Sequence, residues 1–224
     1  MKLLNNKFLN KILLCFGLII GYLLFEIIYL FIGIDFDNLT TNGYLILSII
    51  KYLFFMILLI VIYRKYLKEK WQDFRANFRK YLSISFKDWF TGLLIMLFSN
   101  MIINQFIQGL GENEQAVQEL ISFTPIAAFF MTTFFAPFNE EMIFRKSLQD
   151  VTKNKYIFMI LSGLIFGLVH VIGASNPYEY LLIISYGALG FMFAHTLNET
   201  DNIFCTIMMH MFHNGLLTIL AMVI

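Results

Sequence analysis

Charge is scarce in this 224-residue sequence: only 14% of its residues are Asp, Glu, Lys or Arg, where a soluble domain carries about a quarter. With 59% of the residues hydrophobic, that deficit excludes a soluble globular domain and implies an integral membrane protein of one domain. Cysteine is almost absent. Cys15 and Cys205 both lie in apolar stretches and read as small buried hydrophobes. No CxxC or Cys/His cluster exists to staple the fold or to bind a metal. There is no long basic or low-complexity run, so nucleic acid is not an expected partner. Ser162, Ser175 and Ser185 have no Gly-x-Ser-x-Gly elbow around them. The His-Glu-x-x-His helix of many zinc peptidases is missing too, and no internal repeat suggests a transporter.

What is present is a series of long apolar runs. Seven stretches are long enough to cross a bilayer of about 30 Å: residues 12–34, 44–63, 88–108, 125–148, 156–174, 178–198 and 202–224. The expected fold class is therefore all-α, a polytopic membrane bundle. The first run follows MKLLNNKFLNK, which looks like the front of a signal peptide. It is long enough to span and no small-residue cleavage site follows, so it reads as a retained anchor.

The basic residues orient the spans. Lys2, Lys7 and Lys11 precede the first span. Arg64, Lys65, Lys68, Lys70, Arg75, Arg79 and Lys80 fill the second connection, with Lys87 at its edge, and Arg145, Lys146, Lys153 and Lys155 mark the fourth. The first and third connections hold Asp35, Asp37, Glu112, Glu114 and Glu119 and no Lys or Arg. Every basic residue but Lys51 thus falls on one side, which the positive-inside rule makes cytoplasmic, with the N-terminus inside. Residues 64–87 interleave Tyr66, Trp71, Phe74 and Phe78 with the basic residues and read as an amphipathic helix on the inner leaflet. Glu26 and Lys51 remain inside the first two spans at matching depths, and an ion pair between them is expected. Gly163, Gly167, Gly187 and Gly190 make small-residue stripes that would let two spans approach closely.

Three groups of polar residues stand out inside the later spans. Glu140 and Glu141 are followed by Arg145, Phe166 by His170, and His210 by Asn214. Counting roughly 1.5 Å per residue from the inner ends of their spans places Glu140, His170, His210 and Asn214 in one layer about two turns thick. Glu141 and Arg145 share a helix face and are expected to pair, while Glu140 points about 100° away, toward the bundle interior. A carboxylate beside an imidazole can hold and deprotonate a water. A second imidazole and an amide can donate to a developing oxyanion. These are the parts of a hydrolytic centre. His213 either lines this pocket or packs behind it, the latter being favoured, and His195 reads as an interfacial histidine.

The spacings Glu140-Glu141-x-x-x-Arg145, Phe166-x-x-x-His170 and His210-x-x-x-Asn214, in this order inside hydrophobic spans, resemble the three motifs of the CPBP family. These are the CAAX-processing and bacteriocin-processing intramembrane proteases, also called Abi proteins. The resemblance covers residues 120–218 and includes the flanking Ala136-Pro137 and Phe144-Arg145. Many members continue Phe-Arg-Gly, whereas this chain has Lys146. The resemblance divides the chain into N-terminal transmembrane helices, 1–120, and a catalytic core, 120–224. It implies that Glu140 activates water with His170, that His210 and Asn214 form an oxyanion hole, and that Glu141, Arg145 and Phe166 support them. Glu140, His170 and His210 would also suit a catalytic zinc, although a Glu/His-activated water needs none and the metal-free form is favoured. The substrate would be a membrane-associated peptide or protein: a leader or signal peptide, a bacteriocin or pheromone precursor, or a prenylated C-terminus. A non-enzymatic immunity or regulatory protein on the same fold is the alternative. A small transporter has only the Glu26–Lys51 pair in its favour.

Overall fold

The computed structural model describes residues 6–34, 39–107 and 109–223; Lys2, Asp35 and Asp37 lie outside them. The elements are helices: α1 (Asn6–Leu23), α2 (Phe25–Phe31), α3 (Thr41–Ala76), α4 (Phe78–Ile103) and α5 (Glu112–Phe123). After these come a helix over residues 125–151 (α6), α7 (Lys155–Val169), a 3₁₀ turn Pro177–Leu182 leading into α8 (Ile183–Thr200), and α9 (Ile203–Val223).

The fold is the helical membrane bundle that the composition implies. Among the described residues four helices are long and apolar enough to cross a membrane, and a fifth span results if α1 and α2, bent by 59°, are one crossing. Lys155–Val169 is a shorter apolar helix, and α6 is interrupted by irregular turns. Two elements differ from the sequence reading. Residues 64–87 do not form a helix of their own. No breaker separates residue 60 from residue 76, so α3 runs straight through for 36 residues, about 54 Å, and the rest of the segment opens α4. The third connection, to which no element was assigned, contains α5. Its sequence carries Glu112 and Glu114 in the first turn, where acidic residues favour a helix start.

Helix ends follow local chemistry. The Thr40 hydroxyl accepts from Gly43 N at 3.2 Å to start α3, and Asn154 Oδ1 accepts from Tyr156 N at 2.9 Å to start α7. The turn between α8 and α9 uses Asp201 at φ 47°, a left-handed conformation that short polar side chains tolerate. Asn202 Oδ1 then accepts from Phe204 N at 3.1 Å to begin α9.

Hydrocarbon is as apolar as leucine, so close packing and polar contacts between helices, rather than hydrophobic exclusion, hold such a bundle together. The glycine stripes provide the first. A Cβ at Gly167 would stand 2.5 Å from Ile183 O, and one at Gly163 would stand 2.9 Å from Gly187 O, so α7 and α8 touch backbone to backbone. Hydroxyl pairs provide the second: Ser99 with Ser185 at 2.8 Å and Thr132 with Thr218 at 2.9 Å. Lys51 Nζ lies 3.1 Å from Glu26 Oε1 and 5.0 Å from the Tyr22 ring centroid, so the expected ion pair forms. Lys146, the departure from the family pattern, bonds Asp150 at 2.9 Å and lies 4.2 Å from the Tyr66 ring centroid, which ties α6 to α3. Cys15 and Cys205 are free and buried, as read.

One polar knot clamps the end of α3 to the α8–α9 turn. Asp73 Oδ2 accepts from Asn202 Nδ2 and from the Tyr81 hydroxyl, each at 2.8 Å, and Oδ1 accepts from Asn77 Nδ2 at 2.8 Å. Donors aimed at the ionised form, Asn202 foremost and then Tyr81, hold the Asp73 carboxyl below its usual value. Its stabilising contribution is therefore complete above the unfolded carboxyl's 3.8 and is lost as pH falls through the lower folded value. Thermal unfolding in detergent should show stability falling more steeply below about pH 4 in the wild type than in Asp73→Asn. Gly167→Val should lower stability by about 1–3 kcal/mol in the same measurement, because the neighbouring backbone cannot yield.

Candidate active site

The site begins with a proline inside α6. Pro137 has no N–H to donate, and its ring crowds the carbonyl four residues earlier. The helix meets this with a π-helical turn over Met131–Phe135, in which Ala136 N bonds Met131 O. The Thr132 carbonyl then has no partner along the helix, since Pro137 is the residue that would supply it. Asn214 of α9 takes that place: its Nδ2 donates to Thr132 O at 2.9 Å. A second π turn, Met142–Lys146, follows the two glutamates, and Ser147 N reaches Met142 O. Single π turns of this kind recur at functional sites because they re-aim the side chains around them.

Between the two irregular turns lie Glu140 and Glu141. Glu141 and Arg145 have no exposed side-chain area, and Arg145 Nη1 is 3.4 Å from Glu141 Oε1. The guanidinium also lies over Phe166, with Cζ 4.0 Å from the ring centroid, a favourable cation–π placement. The expected internal pair thus forms, with Phe166 as its floor. Glu141 has a second duty that sequence spacing did not reveal: its Oε1 accepts from His210 Nδ1 at 2.8 Å. A carboxylate only accepts, so Nδ1 carries the hydrogen, and neutral His210 presents a lone pair at Nε2. That nitrogen is 3.8 Å from Glu140 Oε2, an atom that is buried and receives no hydrogen bond from the described residues.

His170 caps α7. Its Nδ1 lies 2.8 Å from Phe166 O, which again makes Nδ1 the donor and leaves Nε2 as an acceptor. The ring stacks on Tyr186 of α8 at 4.6 Å and 24° and rests against Phe166 at 4.4 Å. Glu140, Phe166, His170, His210 and Asn214 line one cavity of about 410 Å³. Three helices from distant parts of the chain, α6, α7 and α9, bring these five residues together.

The cavity also includes residues that the spacings did not single out. His213 lines it, and its Nδ1 is 3.4 Å from the indole Nε1 of Trp89 on α4. Tyr52, Tyr186 and, on α5, Asn113 and Glu114 are also part of the wall. His195 lies elsewhere: Asp88 Oδ2 accepts from its Nδ1 at 2.8 Å and from the Thr196 hydroxyl at 2.8 Å. Among the described residues no three His, Cys, Asp or Glu side chains converge as a group that could hold a metal ion.

Residues 122–216 match the family model described as "Type II CAAX prenyl endopeptidase Rce1-like". The chain is 28% identical over 184 residues to "Putative membrane peptidase YdiL" of Bacillus subtilis (strain 168), an overlap of 78% of this chain and 71% of that protein. No solved structure matches. The CPBP (Abi) resemblance read from the three motifs is thereby borne out.

The electrostatics yield a stability prediction. Glu141→Gln keeps an acceptor for His210 but strips the buried guanidinium of its counter-charge, and should cost about 3–5 kcal/mol. Adding Arg145→Met should recover most of that loss, because the double variant buries no unpaired charge. Thermal unfolding of the purified single and double variants checks both outcomes.

Proposed function

We propose that this chain, whose residues 122–216 match the Rce1-like model, is an intramembrane endopeptidase that hydrolyses a peptide bond in a membrane-associated peptide or protein. One observation carries the reading: Glu140, His170 and His210 line a single cavity, and each imidazole is held by its Nδ1, which leaves its Nε2 uncommitted to that contact. In the proposed step a water molecule lies between Glu140 and His170. Glu140 takes its proton while the water oxygen attacks the scissile carbonyl carbon. The carbonyl π electrons move onto oxygen, where donors in the cavity meet the charge. Collapse of the tetrahedral intermediate then breaks the C–N bond, and the proton held by Glu140 leaves with the amine. Arg145 offsets the two adjacent carboxylates, and Glu141 keeps the His210 ring in one orientation.

The proposed setting is the cell membrane, with the N-terminus cytoplasmic as the charge distribution indicates. The substrate classes in view are leader or signal peptides, bacteriocin or pheromone precursors and prenylated C-termini. The proposed chemistry belongs to the protein's own side chains, without a bound zinc. A non-enzymatic regulator would use the same surfaces without needing Glu140.

Peptides released from membranes by the wild type and by Glu140→Gln, identified by mass spectrometry, test the reading. Glu140→Gln and His170→Ala should each cut the release of specific peptides by about 10²–10⁴-fold at unchanged protein abundance. Full function in both variants would favour the regulator. Pre-treatment with a chelator should leave the wild-type rate intact; loss of activity restored by stoichiometric zinc would reject the metal-free chemistry.

A further inference from the structure

The three histidines of the cavity do not present the same atom. His170 and His210 each use Nδ1 as a donor, to Phe166 O and to Glu141 Oε1. With Nδ1–H committed, a neutral ring offers only a lone pair at Nε2. His213 is reversed. Its Nδ1 faces the indole Nε1 of Trp89 at 3.4 Å, and an indole N–H can only donate. Nδ1 of His213 must therefore accept, and its hydrogen must reside on Nε2. The described residues offer Nε2 no hydrogen-bond partner, while His213 is itself buried, with 7% of its surface exposed, and borders the cavity. Trp89 is equally enclosed at 5% exposure and is wedged against Phe212 at 5.0 Å, so the indole is held in place.

Hydrolysis needs a donor for the oxygen that gains charge, and the residues expected to supply one are each partly engaged in other contacts. Asn214 spends one of its two amide hydrogens on the Thr132 carbonyl orphaned by Pro137. His210 can donate from Nε2 only as the imidazolium. We infer that His213 is a further catalytic residue, its Nε2–H donating a hydrogen bond to the scissile carbonyl oxygen as that oxygen becomes negative. Trp89 is the positioning residue that selects this tautomer. The inference rests on the peptidase reading of the same cavity. A neutral donor suits this place because it stabilises charge in the transition state without adding a fourth ion to Glu140, Glu141 and Arg145.

The test combines activity with a direct view of the ring. Using the peptides that the wild type releases and Glu140→Gln does not, His213→Leu should lower kcat by about 10²–10³-fold with little change in KM. His213→Gln, which restores an N–H at similar reach, should recover at least tenfold of that loss. Nitrogen NMR of isotope-labelled protein in detergent should show His213 as the Nε2–H tautomer in the wild type and a shift toward Nδ1–H in Trp89→Phe, with a smaller drop in kcat. The role is overturned if His213→Leu stays within tenfold of the wild type, if His213→Gln is no better than His213→Leu, or if the wild-type ring is the Nδ1–H tautomer. A wild type that releases no more than Glu140→Gln overturns the peptidase reading and this role together, whereas the first three results overturn the role alone.

Discussion

A guanidinium with no exposed surface lies in the middle of this bundle, and its charge can be tolerated there only because Glu141 is 3.4 Å away. Removing an ion from water is costly, and a buried pair recovers that cost only when its geometry is good and its remaining groups find partners. Glu141 supplies the counter-charge, while the guanidinium nitrogens have no hydrogen-bond partner among the described residues. One Glu141 oxygen serves both Arg145 on its own helix and His210 on α9, while Phe166 of α7 lies under the guanidinium. A single ionic contact thus joins the three helices that carry the family motifs. The placement of the cavity, the orientation of His210 and the exposure of Glu140 to that cavity all depend on it.

The proline of α6 has consequences of comparable reach. It forces a π turn, the π turn frees a carbonyl, and the carbonyl is satisfied by the amide of Asn214 from a helix 82 positions away. A local defect in one helix has become an inter-helix bond at the edge of the site. In lipid this exchange is strongly constrained, because no water stands ready to satisfy a freed carbonyl. The second π turn lies just beyond the glutamates, so the segment bearing the charged groups is bracketed by irregular backbone that neighbouring side chains complete.

Much of the site was legible in the sequence, and the reason is energetic. Ionised or strongly polar residues within apolar spans are too costly to be accidental, so Glu140, Glu141, Arg145, His170 and His210 announce themselves. The Glu141–Arg145 pair is local, one helical turn apart, and spacing alone predicts it. Glu26 and Lys51 were recognisable because two isolated opposite charges at equal depth have few other ways to lower their desolvation cost. The roles of Trp89, Asp88 and Thr132 were not legible. Trp89 meets His213 across 124 positions, and Asp88 meets His195 across 107. An aromatic residue or a lone aspartate near the end of a span gives no local sign of such a partner. The continuous α3 was missed because a change from apolar to basic residues marks a change of solvent, not a break in the backbone.

The sequence by itself determined the solvent of this protein, the identity of its buried charges and the family of its motifs, because the cost of charge in hydrocarbon and the period of a helix are properties of short stretches of chain. Only the tertiary structure decided which nitrogen each imidazole presents to the cavity. A histidine takes its tautomer from whatever its other nitrogen meets. Here those partners are a backbone carbonyl in its own helix, a carboxylate on α6 and an indole on α4. The last two come from other helices, so the assignment exists only once the bundle has closed.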